Sequence, residues 1–121
     1  MYGQTAAHAY QAIEKTANTP RELEAFILTK AASRFQAILN NWEAEKQNLR
    51  TALQYNQKLW TIFVANATSP DSTLPLPLRN NITNLGIFVF KRTNELLTKP
   101  ESKKLEILIF INRELSAGLR T

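Results

Sequence analysis

The segment 49–67 repeats apolar residues at helical spacing, and one amide interrupts the stripe that they form. The apolar positions are Leu49, Ala52, Leu53, Trp60, Phe63, Val64 and Ala67. At about 100° per residue, Asn56 falls in the middle of this stripe. A buried amide costs stability unless it is hydrogen-bonded, so we expect Asn56 to have a specific partner within the fold.

The same segment carries a second apolar edge, roughly opposite the first, formed by Tyr55, Leu59 and Ile62. A helix that is apolar on two sides lies at the centre of a bundle or is covered by a partner. This pattern favours binding over catalysis. We therefore interpret Tyr55, Leu59 and Ile62 as candidate partner-binding residues.

Upstream of this segment, Pro20 occupies a position that suits the first turn of a helix. The helix that follows has a broad apolar face running from Leu23 to Trp42. Neither proline nor glycine separates it from the segment 49–67. Asn40-Asn41 is the favoured break, and one long central helix from Pro20 to about residue 66 is the alternative.

The segment 67–77 (ATSPDSTLPLP) is predicted to be a loop, because proline, serine, threonine and aspartate cluster there. Pro77 is predicted to begin the next helix. Gly86 lies on the core side of that helix, and because glycine has no side chain, another helix is expected to approach closely there. A last helix is predicted after Pro100, and Asn112 lies in the middle of its apolar stripe.

Two interpretations of these helices concern single polar or aromatic side chains. Asn56 and Asn112 are predicted to form a structural polar core, each bonded either to a helix end or to the other amide, which would fix the helix register. Phe88 projects onto an otherwise polar face of its helix. A neighbouring element covers it, or it binds a partner. We include it among the candidate partner-binding residues and expect it to lie near the second apolar edge of the segment 49–67.

The fold class that follows is all-α, a single domain over residues 1–121 built as a bundle of four to five helices. The weakly amphipathic segment 2–16 is the candidate fifth helix. The run Ile107–Ile111 (ILIFI) suits a strand equally well by composition. The proline before it and the polar residues after it favour helix.

Catalytic and metal-binding chemistry has little support in the composition. The chain has one histidine, His8, and no cysteine, and its carboxylates show no recognisable metal-ligand spacing. We expect no enzyme activity, no metal site and no cofactor.

The net charge of +5 is scattered along the helices. It predicts a mildly basic surface, and RNA binding stays an alternative. No apolar run approaches the roughly 20 residues of a spanning helix, and no signal peptide is recognisable. We expect a cytoplasmic protein without membrane insertion.

Short motifs spread over almost the whole chain occur in the order and spacing of one family. They are Met1-Tyr2-Gly3, Tyr10, Thr16, Pro20-Arg21-Glu22-Leu23-Glu24-Ala25, Tyr55-Asn56-Gln57-Lys58-Leu59-Trp60-Thr61-Ile62-Phe63, Leu74-Pro75, Asn84-Leu85-Gly86-Ile87-Phe88-Val89-Phe90-Lys91-Arg92, Ile111-Asn112-Arg113-Glu114-Leu115 and Ala117-Gly118-Leu119. Together they resemble the FlaF family of flagellar biosynthesis regulators. The loop 67–73 departs from the family in being rich in serine and threonine.

This resemblance implies a non-enzymatic protein of flagellated bacteria that promotes flagellin production and export. It also implies that the protein binds flagellin as a cytoplasmic secretion chaperone and works opposite FlbT, a regulator of flagellin messenger RNA. The implied partners are flagellin and an FlbT-type regulator. The alternatives are a post-transcriptional regulator that acts through RNA or through FlbT, and an adaptor that binds only another regulator.

Overall fold

The structure, a computed structural model, describes residues 20–120. The helix expected over residues 2–16 lies outside this part. The elements are α1 (Pro20–Asn40), α2 (Trp42–Glu45), a 3-10 turn (Lys46–Asn48), α3 (Leu49–Thr68), α4 (Leu76–Thr98) and α5 (Ser102–Leu119). The described residues contain no strand, which confirms the all-α class. Four long helices form the bundle, and α2 is a single turn between two of them.

The chain breaks between α1 and α3 at the asparagine pair, so the alternative of one long central helix is wrong. Asn41 leaves the helical region with φ −135° and ψ 54°. Asparagine suits such a position, because its side chain competes with the helix for backbone hydrogen bonds. The short elements that follow reverse the chain. As a result Glu24, near the beginning of α1, lines the same pocket as Asn66, near the end of α3.

The loop between α3 and α4 covers residues 69–75 and is shorter than the predicted 67–77. Hydrogen bonds from the Arg79 side chain stabilise the end of α3, which therefore extends into the predicted loop. Its Nε donates to the Ala67 carbonyl at 2.7 Å and its Nη2 donates to the Ser69 carbonyl at 3.1 Å. Carbonyls at a helix C-terminus lack intrahelical partners, so a side chain of α4 satisfies the end of α3. Pro77 lies in the first turn of α4.

The last helix begins at Ser102, two residues after Pro100, and includes the ambiguous run Ile107–Ile111. The helical alternative for that run is therefore confirmed. Leu108, Ile109 and Ile111 are buried, so a continuous apolar run fits a helix that has neighbours on two sides.

The long helices pack as two extensive pairs, α1 with α5 and α3 with α4. The seams α1–α3 and α4–α5 are less extensive, and α3 and α5 lie across the bundle from each other. The helices α3 and α4 run antiparallel, because Arg50 at the beginning of α3 donates to the Leu97 carbonyl near the end of α4. The chain reversal after Asn41 makes α1 and α3 antiparallel as well. Trp60 and Phe35 are the largest fully buried side chains of the core.

Gly86 produces the closest approach within the α3–α4 pair. A Cβ atom built on Gly86 would overlap Cγ2 of Val64 and would lie 3.7 Å from Cε3 of Trp60. The expected close helix–helix contact at Gly86 is present. The absence of a side chain at residue 86 lets α4 lie directly against the residues that surround the indole of Trp60.

Candidate functional site

A buried polar chain joins α3 to α5 across the middle of the bundle. Trp60 Nε1 donates to Asn112 Oδ1 at 2.9 Å, and Asn112 Nδ2 donates to Asn56 Oδ1 at 2.8 Å. All three side chains are completely buried. An indole nitrogen can only donate, so it determines which end of the Asn112 amide faces Trp60. That choice in turn orients the Asn56 amide. The structure thus brings the two predicted amides together.

The last atom of this chain, Asn56 Nδ2, is buried without a hydrogen-bond partner. An unpaired buried donor costs about 1–3 kcal/mol. The network therefore contributes more to the relative rotation and register of α3 and α5 than to net stability. Helix rotation matters here because Tyr55, which precedes Asn56, and Ile62 lie nearer the outside of α3.

A second polar link holds α1 against α5. Ser116 Oγ donates to the Ala25 carbonyl at 2.7 Å, and Thr29 Oγ1 lies 2.8 Å from Ser116 Oγ. A serine hydroxyl has one hydrogen, so Thr29 is the donor in the second bond. We did not predict this link from the sequence. The only available signal was a small polar residue, Ser116, on the buried stripe of α5.

The three residues of the predicted second edge of α3 differ in their burial. Ile62 is 47% exposed and Tyr55 is half-buried, but Leu59 is only 4% exposed and belongs to the core. The placement of Leu59 on an edge opposite the core is therefore wrong. The physical reason is that α1 lies beside α3 on this side, which widens the buried stripe. Partner binding by Tyr55 and Ile62 stays a prediction.

Phe88 lies away from that edge, on the side of α4 that faces α5. The guanidinium of Arg92 covers its ring, with Cζ 5.0 Å from the ring centroid. The same guanidinium donates through Nη1 to the Lys104 carbonyl of α5 at 3.0 Å. Because Val64 contacts α4 and Ile62 is two residues earlier, Ile62 lies on the opposite side of α3. The expectation that Phe88 is near the Tyr55/Ile62 edge is wrong.

Several large apolar side chains are exposed that we did not single out from the sequence. The exposed ones are Phe26 (47%), Leu76 (63%), Ile87 (65%) and Phe110 (58%). Phe26 could have been found, because it lies four residues before Lys30 and outside the apolar stripe of α1. It lies on the same helix as Arg34, eight residues before it.

The proximity of Tyr55 to Arg34 indicates which levels of α1 and α3 lie side by side. Burial raises the pKa of the Tyr55 hydroxyl, and the nearby positive charge of Arg34 partly offsets that rise. Phe26 precedes Arg34 by eight residues and Ile62 follows Tyr55 by seven. In antiparallel helices both steps run the same way, by about 12 Å and about 10 Å. Phe26 and Ile62 therefore lie at the same level of the bundle.

We refer to a set of exposed and half-buried side chains on α1 and α3, at the levels between Arg34 and Phe26, as the α1–α3 surface. Its residues are Phe26, Lys30, Arg34, Tyr55, Lys58 and Ile62. The three residues on each helix form a row. Successive members of a row are three or four residues apart, so they lie next to each other on the helix surface. Phe88 forms part of a separate surface between α4 and α5.

An open pocket of about 580 Å³ lies at one end of the bundle, between the first turn of α1 and the loop after α3. Glu24, Arg21 and Asp71 are among its lining residues. Burial raises the pKa of the Glu24 carboxyl above 4.5, and the positive charge of Arg21 partly offsets that rise. The carboxylate form of Glu24 is therefore disfavoured by folding.

Glu24→Gln is expected to raise the melting temperature at pH 7. A carboxyl whose pKa is higher in the folded state weakens folding above that pKa, and the penalty disappears as the pH falls towards 4.5. The gain should therefore stay constant while the pH remains above the folded-state pKa, and shrink as the pH falls through that pKa towards 4.5 in thermal melts. Glu106→Gln is the matched control, because Glu106 is exposed on α5. A gain for Glu24→Gln that does not exceed the control at any pH would contradict the assignment.

Within residues 20–120, no three histidine, cysteine or acidic side chains lie together in a way that could hold a metal ion. In the same part of the chain, no helix is both long enough and apolar enough to cross a membrane.

Comparison with known proteins identifies the family. Neither the curated proteins nor the solved structures give a match. The family model described as flagellar protein FlaF matches residues 6–119, which is almost the whole chain. This match confirms the resemblance carried by the motifs around Asn56, Gly86 and Asn112. The chain belongs to the FlaF family of flagellar proteins.

Proposed function

We propose that this protein is a non-enzymatic regulator of flagellar biosynthesis that promotes flagellin synthesis and export by binding flagellin as a cytoplasmic secretion chaperone. The observation that supports the proposal most is the α1–α3 surface. Phe26 of α1 and Ile62 of α3 are each 47% exposed at the same level of the bundle, and the half-buried Tyr55 precedes Ile62 by seven residues. Aromatic and large aliphatic side chains grouped in this way are typical of protein-binding surfaces.

The shape of this surface suits a helical client. A seam between two antiparallel helices receives an amphipathic helix along its length, with apolar side chains at three- and four-residue spacing seated between the two rows. A chaperone of an assembling protein must cover the apolar stripe by which its client would otherwise associate. Docking on the α1–α3 surface would cover such a stripe without requiring the bundle to open.

Ile62→Ser tests the proposal against a matched control, Ile87→Ser. Both isoleucines are exposed on long helices, but Ile87 lies on the outer face of α4, away from the seam. Binding of purified monomeric flagellin is measured by calorimetry for the full chain and both variants. We expect Ile62→Ser to weaken binding about tenfold, equivalent to about 1.4 kcal/mol, and Ile87→Ser to change it by less than about twofold.

Three results would contradict this proposal. They are the absence of flagellin binding, equal binding by the two serine variants, and a loss of binding that follows Phe88→Ala instead of Ile62→Ser. The last result would place the client on the α4–α5 surface. Leu59→Ala is unsuitable as a test, because Leu59 is buried and its truncation would destabilise the core by about 2–5 kcal/mol.

Direct RNA binding would use cations such as Lys91, Arg92, Lys103 and Lys104 for phosphate contacts, and two of these four are already engaged within the protein. Arg92 is occupied by Phe88 and by the Lys104 carbonyl. Lys104 Nζ in turn lies 3.2 Å from Glu95 Oε2. Cations that are already paired within the protein contribute little to a phosphate-binding footprint. Co-purification with an FlbT-type regulator in the absence of flagellin would favour the adaptor role.

A further inference from the structure

The outer face of α5 carries one large apolar side chain among charged ones. Phe110 is 58% exposed. At about 100° per residue it lies opposite the buried stripe of the helix, which contains Leu108, Asn112 and Leu115. A single exposed aromatic residue is ordinary on a protein surface. The side chains around Phe110 therefore decide whether this face has a role.

Four charged side chains surround Phe110, and their signs alternate. All four are exposed. Lys103 and Glu106 lie seven and four residues before Phe110, whereas Arg113 and Glu114 lie three and four residues after it. At about 100° per residue, Glu106 and Arg113 fall on one side of the ring, and Lys103 and Glu114 fall on the other. Each side of Phe110 therefore has one acidic and one basic residue, and so does each end.

These four charges have no ionic partner within residues 20–120. Glu106 and Arg113 are seven residues apart, about 10 Å along the helix, which is too far for an ion pair within one chain. Lys103 and Glu114 are eleven residues apart, about 16 Å along the helix. The opposite charges on each side of Phe110 can therefore meet only when they come from two different molecules.

A two-fold axis beside Phe110 brings these charges together in pairs. When two copies of α5 lie antiparallel with their Phe110 rings in contact, each level before Phe110 in one copy faces the same level after it in the other. Glu106 then faces Arg113 of the second copy with an offset of one residue, about 1.5 Å. Lys103 faces Glu114 of the second copy with an offset of three residues, about 4.5 Å, which the long lysine side chain spans. Because the contact is symmetric, each pair occurs twice.

We propose that this protein forms an antiparallel dimer through the outer face of α5, so that the partner of this face is a second copy of the chain. A two-fold contact requires a surface that is complementary to itself, and the alternating charges around Phe110 meet that requirement. A parallel two-fold arrangement would also pair opposite charges, Arg113 with Glu114. It would, however, place like ends of the two helix dipoles side by side, which favours the antiparallel arrangement.

The size of this face limits the affinity of the dimer. Each copy contributes one face of a single helix, so the contact lies at the low end of the size range of specific interfaces. Phe110 supplies most of the binding energy, because aromatic side chains at the centre of an interface dominate its energetics. The charges around it determine the orientation of the two copies more than the affinity. We expect a dissociation constant of about 10–100 μM.

The dimer goes beyond the proposed function and does not depend on it. The helices α3 and α5 lie across the bundle from each other, so a second copy on the outer face of α5 leaves Ile62 of α3 uncovered. A failure of flagellin binding would leave the dimer unaffected, and the absence of the dimer would leave the α1–α3 surface available. The two proposals can therefore fail separately.

Sedimentation equilibrium of the full chain, without any partner, measures the dissociation constant of the dimer. Phe110→Ser is compared with the control Ile87→Ser, because Ile87 is 65% exposed and Lys91 is the only charged residue within four positions of it. We expect Phe110→Ser to weaken the dimer at least about tenfold, and Ile87→Ser to change it by less than about twofold. Thermal melts at about 2 μM report on the monomer, so Glu106 stays a valid control for Glu24→Gln.

Charge reversals test the arrangement of the two copies. Glu106→Arg and Arg113→Glu each place like charges opposite each other twice, so each should weaken the dimer about tenfold at about 50 mM NaCl and by less at about 300 mM NaCl. The double variant Glu106→Arg/Arg113→Glu restores both pairs with their signs exchanged and keeps the net charge. Its dissociation constant should return to within about threefold of the original.

Three results would overturn the inference. The first is a chain that stays monomeric at up to about 1 mM, including one in which flagellin protects Phe110 from labelling, since the client would then be the occupant of this face. The second is an equal effect of Phe110→Ser and Ile87→Ser. The third is a double variant that dimerises no better than Glu106→Arg alone, because only the antiparallel arrangement restores the pairs.

Discussion

Asn112→Ala is expected to lower the free energy of unfolding by about 3–5 kcal/mol, because two buried polar groups lose their partners at once. The Trp60 indole would have no acceptor and the Asn56 carbonyl oxygen would have no donor. Each unsatisfied group costs about 1–3 kcal/mol, and the truncated side chain also leaves a cavity. Urea denaturation followed by circular dichroism measures the change.

Asn56→Ala should have a smaller effect, about 1–2 kcal/mol from the unpaired Asn112 amide plus a cavity contribution. The substitution leaves Asn112 Nδ2 without an acceptor, but it also removes the Asn56 Nδ2 group that already lacks a partner. Asn94→Ala is the matched surface control, because Asn94 is exposed on α4. A ranking in which Asn56→Ala costs more than Asn112→Ala would contradict the direction of the hydrogen-bond chain.

Gly86→Ala is expected to destabilise the protein by about 1–3 kcal/mol, although alanine is ordinarily the better helix former by about 1 kcal/mol. The added methyl group would overlap Cγ2 of Val64. Val64 relieves this overlap poorly, because a valine in a helix has one strongly preferred χ1 rotamer. The helices α3 and α4 must therefore separate locally, beside Trp60. Thermal and urea unfolding give the change.

Gly118→Ala is the internal control for helix propensity, because a Cβ atom at residue 118 would have nothing within 4 Å. It should stabilise slightly, by up to about 1 kcal/mol. Adding Val64→Ala to Gly86→Ala should recover part of the lost stability by removing the overlapping methyl groups. A stabilising Gly86→Ala, or the absence of any recovery in the double variant, would show that the close approach at Gly86 does not limit packing.

The polar core was largely predictable from periodicity, because the stripe positions of Asn56 and Asn112 follow from spacing within one helix. Their mutual hydrogen bond was one of two alternatives, and the role of Trp60 as the donor that orients Asn112 was not foreseen. The loop after α3 was predictable from its prolines. Its true length depends on Arg79, whose contacts with the end of α3 arise only in the folded bundle.

The outer surfaces were less predictable, because exposure depends on which helices become neighbours. Periodicity placed Leu59 with Tyr55 and Ile62, but α1 packs against that side of α3 and buries Leu59. Phe88 was expected near the same edge, but it lies on the side of α4 that faces α5. Whether a position faces a seam, a neighbouring helix or solvent depends on long-range pairing, which a pattern within one helix does not contain.

The polar core and the α1–α3 surface are connected through the rotation of α3. Asn56 and Trp60 face the middle of the bundle, while Tyr55 and Ile62 lie at the edge beside α1. Any change in the rotation of α3 that broke the Asn56–Asn112 bond would also move Tyr55 and Ile62 relative to Phe26. A fixed register therefore preorganises the surface, which lowers the cost of ordering it when a partner binds.

The most direct test of this account is hydroxyl-radical footprinting of the full chain with and without purified monomeric flagellin. This measurement reports the exposure of individual side chains. The account predicts that flagellin protects Phe26 and Ile62, while Phe110 and Ile87, which are exposed on other faces, are labelled as in the free protein. Protection confined to Phe110 or Ile87, or unchanged labelling of Phe26 and Ile62 at saturating flagellin, would contradict it.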